Sequence, residues 1–244
     1  MMLTYKDSWV KFEDCIEGMK ELPDKSIDLC LTDPPYNVGF KGTCYGGKSY
    51  EDTLDKMEYI QWCKQWFEQI SRISNTQLIF CGNPNIGHWC KYIEIPRDIA
   101  IWYKKNNQGI GAGYYLVKHD SILIYGSLKK KLYVSVIEQM TKCESMPSHP
   151  CPSNIDLYYR IIKELNPSTV LDPFMGSGTT LEACIQLSTP KHPIKCIGFE
   201  LMEEYRVDME KRIERCKYYK RPKTLDSFGL MSEKTTNDKN EVNI

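Results

Sequence analysis

The chain has no long apolar run, no surplus of either charge and only four histidines. Each shortage closes a class of function. No stretch approaches the roughly 18 consecutive apolar residues that span a bilayer as a helix, so no membrane role is expected. The opening residues, Met1 to Asp7, carry no apolar core of a secretory leader. Thirty-two Lys and Arg balance 32 Asp and Glu across 244 residues. That balance excludes a uniformly basic nucleic-acid coat but leaves room for a local basic face. His88, His119, His149 and His192 are followed two positions on by Cys90, Ser121, Cys151 and Ile194, never by the glutamate that a zinc deaminase requires. Cys143, His149 and Cys151 offer three ligands without an evident fourth, so no metal is expected. Cysteine is not scarce. The 11 cysteines are odd in number and scattered, and several (Cys30, Cys81, Cys184, Cys196) sit inside apolar runs. This pattern points to reduced thiols in an intracellular, cytoplasmic compartment rather than to a disulfide framework.

Hydrophobic residues make up 41% of the chain, enough for a packed core. Short runs rich in Ile, Val, Leu and aromatics predict strands near Trp9–Phe12, Ile27–Thr32, Gln77–Cys81, Ile99–Tyr103, Ile122–Tyr125, Val170–Leu171 and Cys196–Phe199. Amphipathic spacing predicts helices over Cys15–Leu22, Leu54–Ile73, Ile155–Leu165, Thr179–Leu187 and Glu203–Cys216, with Met57, Ile60, Trp66 and Ile70 as the stripe of the second. Alternation of the two implies an α/β fold: a mostly parallel seven-stranded sheet covered on both faces. The runs at 99–103 and 122–125 have no helix between them and predict an antiparallel hairpin at one edge. One domain is expected over residues 1–221, with inserted loops near 37–55, 106–119 and 129–150. A polar tail follows over 222–244.

Between Arg97 and Lys142, eight Lys and Arg face three acids, a local excess of five positive charges. Trp102, Tyr103, Tyr114 and Tyr115 are interleaved with them, as in a nucleic-acid face. The run Lys129–Lys131 taken alone reads as a solvated charged surface. Gly42 to Ser49 matches the G-x-x-x-x-G-K-[ST] phosphate-loop pattern letter for letter. The strand that such a loop must follow ends ten residues earlier, at Thr32, so a Gly-rich loop bearing Lys41 and Lys48 is the better reading. Pro150-Cys151 resembles the nucleophile of carbon-5 cytosine methylation, but no Glu-Asn-Val partner string is present.

Two strings carry the chemistry. The first is Leu31-Thr32-Asp33-Pro34-Pro35-Tyr36-Asn37, a strand running into a carboxylate, two prolines and a ring. Ligands bind at the carboxyl ends of strands in open α/β sheets. The prolines remove two N–H donors and stiffen the turn, leaving a carboxylate, a bare carbonyl and a π-face. That set suits a planar group bearing an NH2, with Asp33 and the Pro34 carbonyl as acceptors and Tyr36 stacked on the ring. The same string also describes a strand that merely ends in a proline turn. The second string is Val170-Leu171-Asp172-Pro173-Phe174-Met175-Gly176-Ser177-Gly178-Thr179-Thr180, a strand, a glycine turn and a helix start. The glycines let backbone approach a ligand closely. About 20 residues on, another strand ends at Glu200, where an acid commonly takes ribose hydroxyls.

Together, Asp33-Pro34-Pro35-Tyr36 and the downstream Asp172–Thr180 string resemble the beta class of S-adenosylmethionine-dependent DNA amino-methyltransferases. These enzymes methylate N6 of adenine or N4 of cytosine. The resemblance runs from about Val10 to Cys216 and includes Phe12-Glu13-Asp14-Cys15 near the start. It implies a Rossmann-like methyltransferase fold with circularly permuted motif order, S-adenosylmethionine as cofactor and double-stranded DNA with a flipped-out base as substrate. It implies Asp33, Pro34, Pro35 and Tyr36 as the catalytic string. Asp14 and Cys15 would line the adenine end of the cofactor, and Glu200 would hold its ribose. Asp172, Phe174, Gly176, Ser177, Gly178 and Thr179 would surround its methionine half. Asn37, Lys41, Lys48, Lys104 and Lys105 are the candidate DNA contacts. The aspartate form of the string leans toward adenine N6, and pairing of two copies is implied, as is a role in restriction-modification. The chain departs from the family at His149-Pro150-Cys151-Pro152-Ser153-Asn154, where a lysine is usual at the position of Ser153. Cytosine N4 or an RNA base remains an alternative target, and a non-catalytic subunit of the same fold remains an alternative role.

Overall fold

The computed structural model of the chain describes residues 1–37, 54–104, 118–128, 130, 132, 135–139 and 154–218. Its strands are β1 (Met2–Tyr5), β2 (Ser8–Phe12), β3 (Ile27–Thr32), β4 (Ser74–Cys81), β5 (Asp98–Tyr103), β6 (His119–Gly126), β7 (Val136–Glu138), β8 (Thr169–Asp172) and β9 (Lys195–Glu200). They form one sheet in the order β1-β2-β9-β8-β3-β4-β6-β5-β7. From β2 to β4 every neighbouring pair is parallel. β6 is antiparallel to both β4 and β5.

The sheet has nine strands rather than the expected seven. The two additions are the edge strands β1 and β7, of four and three residues. Runs that short carry little periodicity. Their neighbours decide them: β1 folds back on β2 with Tyr5 opposite Ser8, and β7 pairs with β5 through Ile137, its one buried residue. The expected hairpin of β5 and β6 is present, but β7 rather than β5 is the outer strand.

The helices are α1 (Cys15–Met19), α2 (Lys56–Ile73), α3 (Ile86–His88), α4 (Ile155–Leu165), α5 (Thr179–Leu187) and α6 (Arg206–Tyr218). The helical turns Asn83–Asn85 and Trp89–Ile93 flank α3; none of the three was foreseen, because Gly82, Pro84 and Gly87 break the helical pattern. α1 is shorter than expected, ending before Lys20. Three of the longer helices, α2, α4 and α5, start on a local device. Asp55 caps α2 by accepting from Met57 N, and Asn154 caps α4 by accepting from Asp156 N. Gly178, at φ +86°, turns the chain into α5. The buried stripe of α2 is Tyr59, Ile60, Cys63, Trp66, Ile70 and Ile73, while Met57 points to solvent.

The helices sit on two sides of the sheet. α1, α2 and the α3 region cover one face around Met19, Trp66, Ile70, Trp89 and Phe199. α4, α5 and α6 cover the other around Leu157, Ile161, Leu181 and Met209. A sheet covered on both faces explains why β3, β4 and β8 are buried on consecutive positions rather than alternate ones. Among the described residues no helix is long and apolar enough to cross a membrane. The Gly42–Ser49 string, Pro150-Cys151, most of the three expected loops and the tail at 222–244 lie outside the described residues.

Candidate active site

The parallel strands deliver their carboxyl ends to one edge of the sheet. β3 ends just before Asp33, β8 at Asp172, β9 at Glu200 and β2 just before Asp14. The antiparallel pair reverses there, so β5 leaves at Lys104 where β6 enters at His119 and Asp120.

The Asp33–Tyr36 turn is held from three sides. The Tyr36 hydroxyl donates to Asp33 Oδ1 at 2.6 Å. Tyr59 of α2 donates its hydroxyl to the Pro35 carbonyl at 2.9 Å, and Asn85 Nδ2 donates to the Tyr36 carbonyl at 2.6 Å. Gly82, at the end of β4, lies under the Tyr36 ring; a Cβ there would stand 3.1 Å from Tyr36 Cδ2. Asn37, at φ +53°, closes the turn by exchanging two hydrogen bonds with Leu54 through its side chain. Burial pushes the Asp33 carboxyl up to about 6. The Tyr36 hydroxyl and the Lys104 ammonium pull it back, while Asp120 and Asp172 push the same way as burial. Burial and the neighbouring Asp33 charge raise the Tyr36 phenol, so it remains a donor.

Asp172 is 3% exposed. It accepts from Thr32 Oγ1, from Thr180 Oγ1 and from Phe174 N, which ties β3, β8 and α5 together. Burial raises its carboxyl to about 6 as well. Glu200 accepts backbone N–H bonds from Gly176 and Met202, both at 2.7 Å, so the glycine turn is pinned to the end of β9. Burial raises Glu200 too. Gly176 takes φ +53°. Of the turn residues named above, Phe174 and Gly176 are partly exposed, whereas Ser177, Gly178 and Thr179 are buried. Ser177 accepts from Arg212 Nη2 at 3.2 Å, and Gly178 packs on Met209. Phe174 stands edge-on to Trp66 and tilted against Trp62, with ring centroids 5.3 and 5.5 Å apart.

Asp14 caps α1, accepting from Ile16 N and Glu17 N. The Cys15 thiol is buried and pushed up to about 12, which keeps it protonated and inert. Lys104 is not a freely extended cation: it is paired with Asp120 and sits 4.5 Å from the Trp102 ring centroid. Lys41, Lys48 and Lys105 lie outside the described residues. The edge therefore brings together Asp33, Tyr36, Asp172, Phe174, Gly176 and Glu200, with Asp14 and Cys15 beyond Glu200. Sequence reasoning missed Asp120, Tyr59, Asn85 and Arg212. The first lies near the start of an antiparallel strand and the others act from helices or helical turns, and none belongs to a motif.

The donor and acceptor set fits S-adenosylmethionine. Carboxylate acceptors at Glu200 and Asp14 suit hydroxyl and amine donors. Each Glu200 oxygen keeps a second lone pair beside its backbone bond. Phe174 offers an apolar wall, and Gly176 brings bare backbone to the surface.

Such an edge, with a proline-stiffened carboxylate beside a glycine turn and a strand-terminal acid, defines a Rossmann-like methyltransferase of the amino-group type. The sequence model of the DNA methylase family for N6 and N4 methylation matches residues 27–148 and 133–211, and the chain belongs to that family. Members draw the methyl group from S-adenosylmethionine. The chain is 28% identical to the type II methyltransferase M.HpaI of Haemophilus parainfluenzae over 236 residues, 81% of this chain and 71% of that protein. It is 27% identical to the type II methyltransferase M.ScaI of Streptomyces caespitosus, over 79% of this chain and 76% of that one. Among solved structures, the cytosine-N4-specific PvuII DNA methyltransferase shares the fold at a TM-score of 0.64 and 16% identity, covering 86% of this chain and 87% of that one. M1.HpyAVI, solved with S-adenosylmethionine, shares it at a TM-score of 0.55 and 21% identity, over 84% and 98%.

Proposed function

We propose that this DNA methylase transfers its methyl group to N6 of adenine, on a base turned out of the duplex into the recess at Asp33. The observation that carries the reading is the Asp33–Tyr36 pair, held at the end of β3 beside the Asp172–Glu200 edge. S-adenosylmethionine supplies an electrophilic methyl group on a sulfonium. The work left to the protein is to prepare the amine, whose lone pair is delocalised into the ring. The Asp33 carboxylate accepts one amino hydrogen and the Pro34 carbonyl the other, drawing the nitrogen out of the ring plane. When the cofactor is bound, formation of the N–CH3 bond would break the S–CH3 bond and release a neutral thioether; Asp33 would stabilise the positive charge that builds on nitrogen, and the excess amino proton would leave to water. Tyr36 keeps the carboxylate aimed and offers a ring face to the extruded base. Phe174, Gly176, Glu200 and Asp14 position the donor, and positioning supplies much of the acceleration.

The choice of adenine is supported by the aspartate that opens the catalytic string. Cytosine N4 is the second reading, favoured by the likeness in fold to the PvuII enzyme. Pairing of two copies belongs to the proposal and is read by sedimentation. The test is nucleoside mass spectrometry on DNA and RNA from a host lacking its own DNA methylation, with Asp33→Ala as control. N6-methyladenine in DNA, absent with Asp33→Ala while cofactor binding persists, is the expected result. N4-methylcytosine corrects the base, and a methylated base in RNA alone moves the substrate. Undiminished transfer by Asp33→Ala refutes the mechanism.

A further inference from the structure

Four charged or polar groups meet where β3, β5 and β6 reach the site edge, and only two of them belong to the catalytic string. Asp120, the second residue of β6, stands directly opposite Trp102 of β5, and Lys104 follows two residues after Trp102. Lys104 Nζ pairs with the Asp120 carboxylate, and both side chains are largely shielded, at 17% and 14% exposure. The pair is clamped from several directions. The Lys104 N–H donates to the Lys118 carbonyl at 2.7 Å, the ammonium lies 4.5 Å from the Trp102 ring centroid, and Trp102 Nε1 donates to the Gln139 carbonyl at 3.0 Å. β4 is the one strand between this pair and Asp33, and its last residue, Cys81, is in register with Ser121, next to Asp120. The Tyr36 ring lies over the following Gly82 and so bridges the gap.

We propose that Lys104 and Asp120 are positioning residues for methyl transfer. Asp120 adds negative potential at Asp33 on top of burial, and its partner Lys104 offsets that addition, so that Asp33 remains an anion that can accept the amino hydrogen. This rests on the function proposed above. Two carboxylates near one shielded edge disfavour double ionisation, and a cation paired with one of them relieves the conflict. Among the described residues, the groups that act on Asp33 include Tyr36 from its own turn, Asp120 from β6, Lys104 from the end of β5 and Asp172 from β8. Tyr158 of α4 and Asp120 act on Tyr36 in turn. Asp120 and Asp172 push the Asp33 carboxyl up, whereas Lys104 and Tyr36 pull it down. The pair is therefore a tuning element rather than a surface ion pair.

Two measurements test this in the full-length protein: the pH profile of kcat/KM for methyl transfer, and the titration of Asp33 by carboxyl-carbon NMR, assigned with Asp33→Asn. Lys104→Met is expected to move the acid limb and the NMR titration up by about one pH unit, an approximately tenfold rate loss below the limb. Asp120→Asn, an isosteric change expected to fold, should move both down. The double variant should return toward wild type, and Lys104→Arg should restore it. An unmoved titration in both single variants, whatever their activity, overturns the inference and leaves the pair a brace of the hairpin. Opposite NMR shifts in the two variants, together with no methylation of any nucleic acid by the wild type, sustain the tuning and overturn the functional reading instead.

Discussion

The glycine turn of the site hangs on a buried ion network, and Glu182→Gln tests that dependence. Glu182 lies on α5, and its side chain is 1% exposed. It accepts from Arg212 Nη1, from Arg215 Nε and Nη2 and from Gln186 Nε2. Arg212 is equally buried and uses its other terminal nitrogen to hold Ser177, whereas Arg215 is 38% exposed. The two arginines should respond differently to loss of the carboxylate. Arg215 can turn to water. Arg212 cannot, and its charge stays in the interior. Removing one partner of a buried ion pair typically costs about 3–5 kcal/mol. Asp208, buried one turn before Arg212 on α6, argues for the lower end of that range. Arg215→Gln leaves the buried Glu182 charge paired with the buried Arg212, so no lone charge stays in the interior and the cost should be clearly smaller. Urea unfolding followed by tryptophan fluorescence gives both values, since Trp66 and Trp89 are fully buried. In a chain of this size each kcal/mol lowers Tm by about 2–4 °C. Ser177 should loosen with Arg212, so Glu182→Gln should also raise KM for the cofactor. Equal costs for the two substitutions would refute the reasoning.

Three further outcomes follow from the geometry. The Asp172 carboxyl is raised from its ordinary 3.8 to about 6 by burial, so the folded state holds a proton more tightly than the unfolded chain. Stability from this group is full below about pH 4 and is lost as pH rises to about 6. The stability difference between Asp172→Asn and wild type should thus shift in favour of the variant by about 3 kcal/mol between pH 4 and 7; a difference independent of pH contradicts this. Tyr36→Phe keeps the ring but removes the bond that favours ionised Asp33, so the acid limb of methyl transfer should move up, and a downward move would show that the hydroxyl does not stabilise the anion. Gly18 of α1 lies against β9, where a Cβ would stand 2.2 Å from Phe199 Cε1. Gly18→Ala should cost about 1–3 kcal/mol despite the better helix former, and an unchanged Tm would show that α1 does not press on β9.

Much of the architecture was legible because local chemistry and final environment agree. Leu29–Leu31 and Cys196–Phe199 are apolar on consecutive positions because both faces of the sheet are covered, and the strands around them appear within a residue of expectation. The helix limits at Ile155–Leu165 and Thr179–Leu187 match because Asn154 and Gly178 mark their starts. Where the signal was weak, the outcome depended on partners. β1 and β7 are too short to show a period, and the turns around α3 run through two glycines and a proline.

The same division holds at the site. Asp33-Pro34-Pro35-Tyr36, the glycine turn and Glu200 are short contiguous strings whose chemistry survives any placement, so the family and the reaction class could be read from them. Their partners are dispersed. Tyr59 lies 24 residues from Pro35, Asn85 lies 49 from Tyr36, and Arg212 lies 35 from Ser177. No motif links such positions, because burial and hydrogen bonding between elements choose them after the sheet has formed. Asp120 shows this most plainly. In the sequence it is one acid within a basic stretch. In the folded protein the reversal of β5 and β6 carries it, with Lys104, to the edge where Asp33 stands. The composition of the chain fixed which groups exist, and the order of strands in the sheet set which charges feel one another.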